Sequence, residues 1–215
     1  MKLLATKDMS AAELAQILSL KTITVRHHLN MLKLLGMIRE ASEQRGKVGR
    51  PIVRYHATQK PISVEFPRRH YEIISNILLQ GLIRNLGPQK TKTTLWTMGH
   101  EFGSNLAREL TSKHGVERWD MRMLKKYFVE LHLDGMGAVP EIVEVTGQSV
   151  RYRIHNCVLS ELAREHPDLV CGGFDDGLLD GLLKSTIPRA QAKQLRCVGR
   201  GDGFCEYVLY TVRPE

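Results

Sequence analysis

Four cysteines carry most of the chemical potential of this 215-residue chain, and all of them lie in its C-terminal half. They are Cys157, Cys171, Cys197 and Cys205, in the spacing C-x13-C-x25-C-x7-C. Cysteines clustered in a chain without a signal peptide bind metal or sense redox state more often than they form structural disulfides. Four thiolates suit zinc as well as an iron–sulfur cluster, so the residues alone leave both open, beside a set of inert buried thiols.

The elements expected around these cysteines form an α+β domain with an antiparallel sheet. Strands are predicted over 139–145, 150–154, 194–198 and 206–212, and helices over 119–133, 160–166 and 174–186. Cys157 follows the second strand, and Cys171 follows the short helix that Pro167 ends. Cys197 and Cys205 flank a glycine-rich turn between neighbouring strands, so we expect their thiols to lie close together.

Two other residues in this region have alternative roles. His155 is a possible substitute ligand, although a strand histidine is more often packed or solvated. Asp202 lies between glycines and is expected to cap the turn rather than to act as a catalytic acid. No nucleophile–base pairing is present, so we do not expect an enzyme.

The N-terminal stretch 10–55 predicts a winged helix-turn-helix. Ser10 and Glu13 have the spacing of a capping box, and Gly36 is placed to end the second helix, which begins near Thr22. A hairpin follows over 37–55, and the second helix is expected to enter a DNA major groove. The side chains predicted to face inward are Leu14, Ile17 and Leu18 on the first helix and Val25, Leu29 and Leu32 on the second.

The charge is concentrated on the same segment. Residues 1–70 hold 13 basic and 5 acidic residues, a balance of +8, which is the whole net charge of the chain. Attraction to phosphate explains that distribution, so double-stranded DNA is the expected partner. The residues predicted to contact DNA are Lys21, Thr22, Ile23, Arg26, His27 and Asn30 on the recognition helix and Arg45, Lys47 and Arg50 at the wing tip.

Two apolar-striped helices are predicted between the DNA-binding head and the cysteine domain. Their stripes break at Gly87–Pro88 and indicate either a homodimer interface or packing on the chain's own C-terminal domain. We favour the homodimer. The expected organisation is a DNA-binding domain over 1–62, a helical linker over 63–115 and a sensor domain over 116–215. The stripe residues are Tyr71, Ile74, Leu78, Leu82 and Leu86, then Leu95, Met98, Phe102, Leu106 and Leu110.

Several segments resemble a known family. AAELAQIL, TVRHHLNML and GRPIVRYHAT resemble the winged-helix domain of ArsR-type bacterial regulators, which have one more helix before the first one described above. HNC, SELAREHPDLVC and LRCVGRGDGFCEYVL resemble the C-terminal domain of the SufR-type repressors of iron–sulfur assembly, although Val158 stands where that family often has proline. The resemblance implies a repressor whose operator binding is controlled by an iron–sulfur cluster (4Fe–4S or 2Fe–2S) on Cys157, Cys171, Cys197 and Cys205.

A second resemblance keeps another function open. RCVGRGDGFCEYVL is also similar to domains of the vinyl-reductase type, whose cysteines hold zinc beside a small-molecule pocket. The alternative is therefore a winged-helix regulator with a small-molecule effector and structural zinc, its pocket lined by aliphatic residues such as Leu131, Leu133 and Val139. No apolar run is long enough for a membrane helix, so we expect a cytoplasmic protein.

Overall fold

The computed structural model describes residues 2–43, 52–58 and 71–212. The chain divides into two compact units, Met1–Arg69 and His70–Glu215. Both units combine helices with an antiparallel sheet, so the predicted α+β class is confirmed. The described part of the predicted helical linker, from Tyr71 onward, lies within the second unit.

The N-terminal unit has the element order of a winged helix-turn-helix. A three-stranded sheet of order β1-β3-β2 packs on three helices, and β2 pairs with β3 from Ile38 opposite Ala57 to Glu43 opposite Ile52. The five-residue α1 is the additional N-terminal helix that the ArsR-type resemblance implies. The elements are α1 (Lys2–Thr6), β1 (Met9–Ser10), α2 (Ala11–Leu18), α3 (Thr22–Leu34), β2 (Ile38–Glu43) and β3 (Ile52–Ala57).

The predicted capping box opens α2. The Ser10 hydroxyl accepts from the backbone N–H of Glu13 at 3.3 Å, and the Ser10 N–H donates to the Glu13 carboxylate at 2.7 Å. That backbone hydrogen bond lowers the pKa of Glu13. Ser19, in the left-handed region at φ 53°, ends α2, and Gly36 follows α3 at φ 69°, as a C′ glycine does.

The core of this unit differs from the prediction at two positions. Leu14, Val25 and Leu29 are buried as expected, but Ile17 and Leu18 are about half exposed. These two residues occupy the last turn of α2, beyond the part that packs in the core. Ala11 and Ala15, one helical turn apart, complete the buried face of α2 instead.

The C-terminal unit begins with the long helix α4 (Tyr71–His114), which is interrupted at Gly87. Gly87 has φ 77° and ψ 163°, and Pro88 follows it, so the chain forms two consecutive helices at the predicted break. The second part, 88–114, packs on α8 (Asp176–Thr186), and their contact contributes Leu106, Ala107, Leu182 and Leu183 to the main core.

The rest of this unit places a four-stranded sheet of order β4-β5-β7-β6 against these helices. Two helices contain π-helical segments, in which each backbone hydrogen bond spans one residue more than in an α-helix. The elements are α5 (Met121–Met123) with the π-segment Leu124–Leu133, β4 (Pro140–Val145), β5 (Ser149–Ile154), α6 (Ser160–Glu165), α7 (Pro167–Leu169) with the π-segment Val170–Asp175, α8 (Asp176–Thr186), β6 (Ala190–Arg196), the short 3₁₀ helix Val198–Arg200, and β7 (Cys205–Thr211).

The core residues of the first π-segment do not follow a simple α-helical period. Leu124, Phe128 and Val129 are buried, whereas Leu131 is half exposed. The wider π turn shifts the inward face relative to a 3.6-residue period. Pro167 also differs from expectation, because it opens α7 instead of only ending the preceding helix.

The apolar stripe on the first part of α4 is largely exposed within the chain. Tyr71, Ile74 and Leu78 are each more than half exposed, while Leu79 is buried. Within the part of the chain that the structure describes, no helix combines the length and the apolar character that crossing a bilayer requires.

Candidate functional site

The four cysteines of the C-terminal unit form one cluster of thiols. The Sγ atoms of Cys171 and Cys197 lie 3.4 Å apart, and the Cys205 thiol donates a hydrogen bond to the sulfur of Cys157. Cys157 lies in the loop after β5 and is half-buried, whereas the other three cysteines are buried. Cys171 comes from the second π-segment, and Cys197 and Cys205 lie at the facing ends of β6 and β7. Residues separated by up to 48 positions in sequence are thus brought together.

The turn between β6 and β7 holds Cys197 in place. The Asp202 carboxylate accepts a hydrogen bond from the backbone N–H of Cys197 at 2.8 Å, which is the turn-capping role expected for it. A Cβ atom on Gly199 would lie 2.5 Å from the carbonyl oxygen of Ala163, so only glycine lets this turn pack on α6. The Nε2 atom of His155, the possible substitute ligand, lies 2.7 Å from the carboxylate of Glu141 instead.

The electrostatics distinguish Cys157 from the other thiols. The hydrogen bond donated by Cys205 lowers the pKa of Cys157. The same bond raises the pKa of Cys205, and burial raises the pKa of Cys171. The Cys157 thiol therefore ionises more readily than those of Cys171 and Cys205.

Thiol sulfurs are suitable ligands for a soft metal ion, and the distance between two of them, those of Cys171 and Cys197, is close to that expected for two ligands of one ion. Tetrahedral zinc with Zn–S bonds of about 2.3 Å has sulfur–sulfur edges of about 3.8 Å, close to the separation of Cys171 and Cys197. However, within residues 2–43, 52–58 and 71–212, no three His, Cys, Asp or Glu side chains are grouped so that they could hold one ion. The cysteines therefore lie near one another in space, but their side chains are not arranged as a complete set of ligands for one metal ion.

An apolar cavity of about 280 Å³ lies beside the thiols. Cys157 and Cys171 are part of its wall. Of the residues predicted to line a pocket, Leu133 does so, whereas Leu131 and Val139 do not. Most of the other wall residues come from helices, and no sequence pattern identifies them. The main apolar wall residues are Phe102, Phe128, Met136, Ile154, Phe174 and Leu178.

A small polar group occupies one part of the cavity wall. The Tyr207 hydroxyl donates to the Asp175 carboxylate at 2.6 Å and accepts from the Gln194 amide at the same distance. Burial raises the pKa of Asp175 to about 6. Burial also raises the pKa of Tyr152 well above its usual value, and its ring stacks on Tyr207 with centroids 5.5 Å apart. His132, also in the wall, has a pKa lowered by burial.

The recognition helix α3 presents its predicted DNA-contacting residues outward. Ile23, Arg26, His27 and Asn30 are exposed, Thr22 is partly exposed, and Lys21 is exposed immediately before the first turn. Val25 and Leu29 attach the opposite face to the core. Arg45, Lys47 and Arg50, predicted at the wing tip, lie outside the described residues.

The comparison with protein families concerns the N-terminal unit. Residues 1–40 match the model described as "Bacterial regulatory protein, arsR family". This match, with the outward face of α3, supports a DNA-binding transcription regulator of ArsR type. No curated protein matches the sequence.

Solved structures resemble the fold at low identity. The phenol-responsive sensory domain of the transcription activator PoxR, determined with phenol, has a TM-score of 0.51 and 15% identity over 87% of this chain and 90% of that chain. A trafficking protein particle complex subunit 3 from Naegleria fowleri, covalently bound to palmitic acid, has a TM-score of 0.49 and 16% identity over 66% and 92%. A vinyl-4-reductase family protein from Methanocaldococcus jannaschii has a TM-score of 0.39 and 17% identity over 72% and 86%.

Proposed function

We propose that this protein is a transcriptional repressor whose affinity for its operator is set by a small apolar molecule bound in the C-terminal cavity. The observation that carries the proposal is the cavity itself. Its volume is about 280 Å³, and an apolar wall with a few polar groups is typical of small-molecule sites. The PoxR domain, which shares the fold, is described as phenol-responsive, and this supports a sensory role for the domain.

The proposal assigns DNA binding to α3 and dimerisation to the first part of α4. The exposed side chains of Tyr71, Ile74 and Leu78 lie along one face of that helix. A second copy of the chain would cover this face, and two heads would match a two-fold operator. An effector changes operator affinity only if it binds the DNA-competent and DNA-incompetent states unequally.

A binding experiment with a filled cavity tests this function. An operator would first be selected from a random duplex pool, and its Kd would be measured by fluorescence anisotropy with and without a panel of small apolar compounds. Leu178→Trp places a larger side chain in the cavity wall, and Leu195→Trp, on an exposed position of β6, is the matched control. We expect a compound to change the Kd of the wild type and the control but not of Leu178→Trp. A panel that leaves the wild-type Kd unchanged contradicts the proposal.

Metal control through the cysteines is a second candidate, favoured by the 3.4 Å separation of the Cys171 and Cys197 sulfurs. That distance suits two ligands of one ion better than two ligands of an iron–sulfur cluster, in which each thiolate binds its own iron. It therefore supports zinc over the cluster that the SufR-type resemblance implies. Cys157, Cys171, Cys197 and Cys205 would hold the ion, which would tie together the loop after β5, the second π-segment and the β6–β7 turn.

Anaerobic purification distinguishes zinc from an iron–sulfur cluster. A brown protein that absorbs at roughly 400 nm and contains sulfide indicates an iron–sulfur cluster, whereas a colourless protein with one zinc per chain indicates a single zinc ion. Cys197→Ser should abolish cofactor binding and change operator affinity. Loss of the metal without a change in operator affinity would show that the site is structural only.

A further inference from the structure

We propose that the cavity selects an organic cation, a small apolar molecule with one protonated amine that pairs with the Asp175 carboxylate. The inference rests on the proposed effector site, because it names the class of effector for the same cavity. It depends on three features of the wall: an acidic group without a basic partner among the described residues, a nearby tyrosine, and aromatic side chains around both.

The Asp175 carboxylate faces no cation among the residues that the structure describes. Its only hydrogen bond to a described residue comes from the Tyr207 hydroxyl, and no ion pair to it is formed within the described part of the chain. The nearby basic side chains Lys92 and Arg200 act on the neighbouring Asp176 instead. An ionised carboxylate in an apolar wall is costly unless it is paired, so a bound cation would stabilise it.

Tyr152 supplies a second polar group. It is only 1% exposed and lies in the cavity wall, where its ring stacks on that of Tyr207. The Tyr152 hydroxyl can accept a hydrogen bond from an ammonium group that also contacts Asp175, since both groups belong to the same wall.

The aromatic side chains of the wall favour a positive charge as well. Phe102 and Phe174 lie with ring centroids 6.1 Å apart, and Phe128 is a third aromatic residue in the wall. Aromatic faces attract cations, and the attraction grows when water is excluded. A carboxylate or phosphate ligand would instead meet the like charge of Asp175. His132 offers such a ligand no compensating charge near pH 7.5, because burial lowers its pKa.

Two probes of nearly equal size separate a cation from a neutral molecule. Titration calorimetry on the full-length protein at pH 7.5 would compare 4-phenylbutylamine with 4-phenylbutan-1-ol, which differ only in the terminal group. Charge-assisted hydrogen bonds are stronger than neutral ones, so we expect the amine to bind about 10- to 100-fold more tightly. Equal affinities, or tighter binding of the alcohol, would overturn the inference.

Two variants locate the preference. Asp175→Asn should bring the two affinities within about threefold of each other, since the charged partner is removed. Asp180→Asn is the matched control: Asp180 lies on α8, five residues after Asp175, but pairs with His100 at 3.5 Å outside the cavity, so the preference should persist. A preference that survives in Asp175→Asn refutes the role of this carboxylate. If Asp175→Asn does not fold, the wild-type comparison still decides.

The outcomes also separate this inference from the proposed function. If the alcohol binds and the amine does not, the cavity remains an effector site and its selectivity for cations is wrong. If neither the two probes nor any other apolar compound binds, both the effector function and the choice of a cation are rejected.

Discussion

The contact between α4 and α8 depends on glycines, and Gly181→Ala is the change that tests it. A Cβ atom at Gly181 would lie 2.0 Å from the carbonyl oxygen of His100 on α4. In the opposite direction, a Cβ atom at Gly103 of α4 would lie 2.0 Å from the carbonyl oxygen of Leu178. Since the contacted atoms belong to the backbone, no side-chain rotation can relieve the clash, and the helices must separate.

The size of the effect follows from these distances. Close carbon–oxygen contacts in proteins are about 3.3 Å, so the two helices would have to move apart by roughly 1.3 Å at this point. Overpacking of this kind costs up to about 3 kcal/mol, and alanine returns about 1 kcal/mol through its higher helix propensity. We therefore expect Gly181→Ala to lower the free energy of unfolding by about 2 kcal/mol, and Tm by roughly 4–8 °C.

Urea denaturation followed by tryptophan fluorescence measures this free energy. Both tryptophans, Trp96 and Trp119, lie in the C-terminal unit, so the signal reports the unfolding of that unit. Gly81→Ala is the matched control, because Gly81 is in the first part of α4 with no atom within 4 Å of an added Cβ. The control should gain up to about 1 kcal/mol. A Gly181→Ala protein as stable as the control would refute the close-packing argument.

Three further predictions concern the DNA-binding face, the buried acid and the dimer. Arg26→Ala should reduce discrimination at one base pair by about 1–3 kcal/mol, whereas Lys21→Ala should weaken all duplexes about equally; anisotropy titrations that show no change for Arg26→Ala contradict the placement of α3. For Asp175, burial raises the pKa from 3.8 to about 6, so the folded state holds the proton more tightly than the unfolded state. The free energy of unfolding of the wild type should therefore fall as pH rises from about 4 to about 6 and level off above that. Between pH 5 and pH 8, the free energy of unfolding of Asp175→Asn, measured by urea titration, should rise by roughly 1–2 kcal/mol relative to that of the wild type. A difference between the two proteins that is the same at both pH values would reject the raised pKa of Asp175. Leu78→Glu places a charge on the exposed face of α4 and should convert a dimer into a monomer in light scattering, while an intact dimer would place the interface elsewhere.

Local sequence signals predicted the element boundaries well. The Ser10–Glu13 pair fixes the start of α2, Gly36 the end of α3, and Gly87 the interruption of α4, because each residue type favours one backbone arrangement regardless of its distant contacts. Hydrophobic periodicity predicted burial wrongly at Ile17 and Leu18, because their exposure depends on how much of α2 the neighbouring elements cover.

The site depends on contacts that the sequence does not encode locally. The turn between β6 and β7 predicted that Cys197 and Cys205 would be close, but no local signal indicated that the sulfur of Cys171, 26 positions before Cys197, would lie 3.4 Å from that of Cys197. Asp175 and the aromatic wall residues had no motif at all. Helical glycines such as Gly181 also gave no local signal, because close helix packing becomes visible only when both helices are placed.

The two π-helical segments are explained better by the cavity than by the fold. Phe128 and Leu133 come from the first segment and line the same cavity, although residues five apart in an α-helix point about 140° away from each other. The longer π turn brings both side chains to one wall. The second segment, Val170–Asp175, contributes Cys171, Phe174 and Asp175 to the same cavity. Since α-helical geometry gives better backbone hydrogen bonding, two departures that face one cavity indicate that the shape of this site constrains the backbone on both sides.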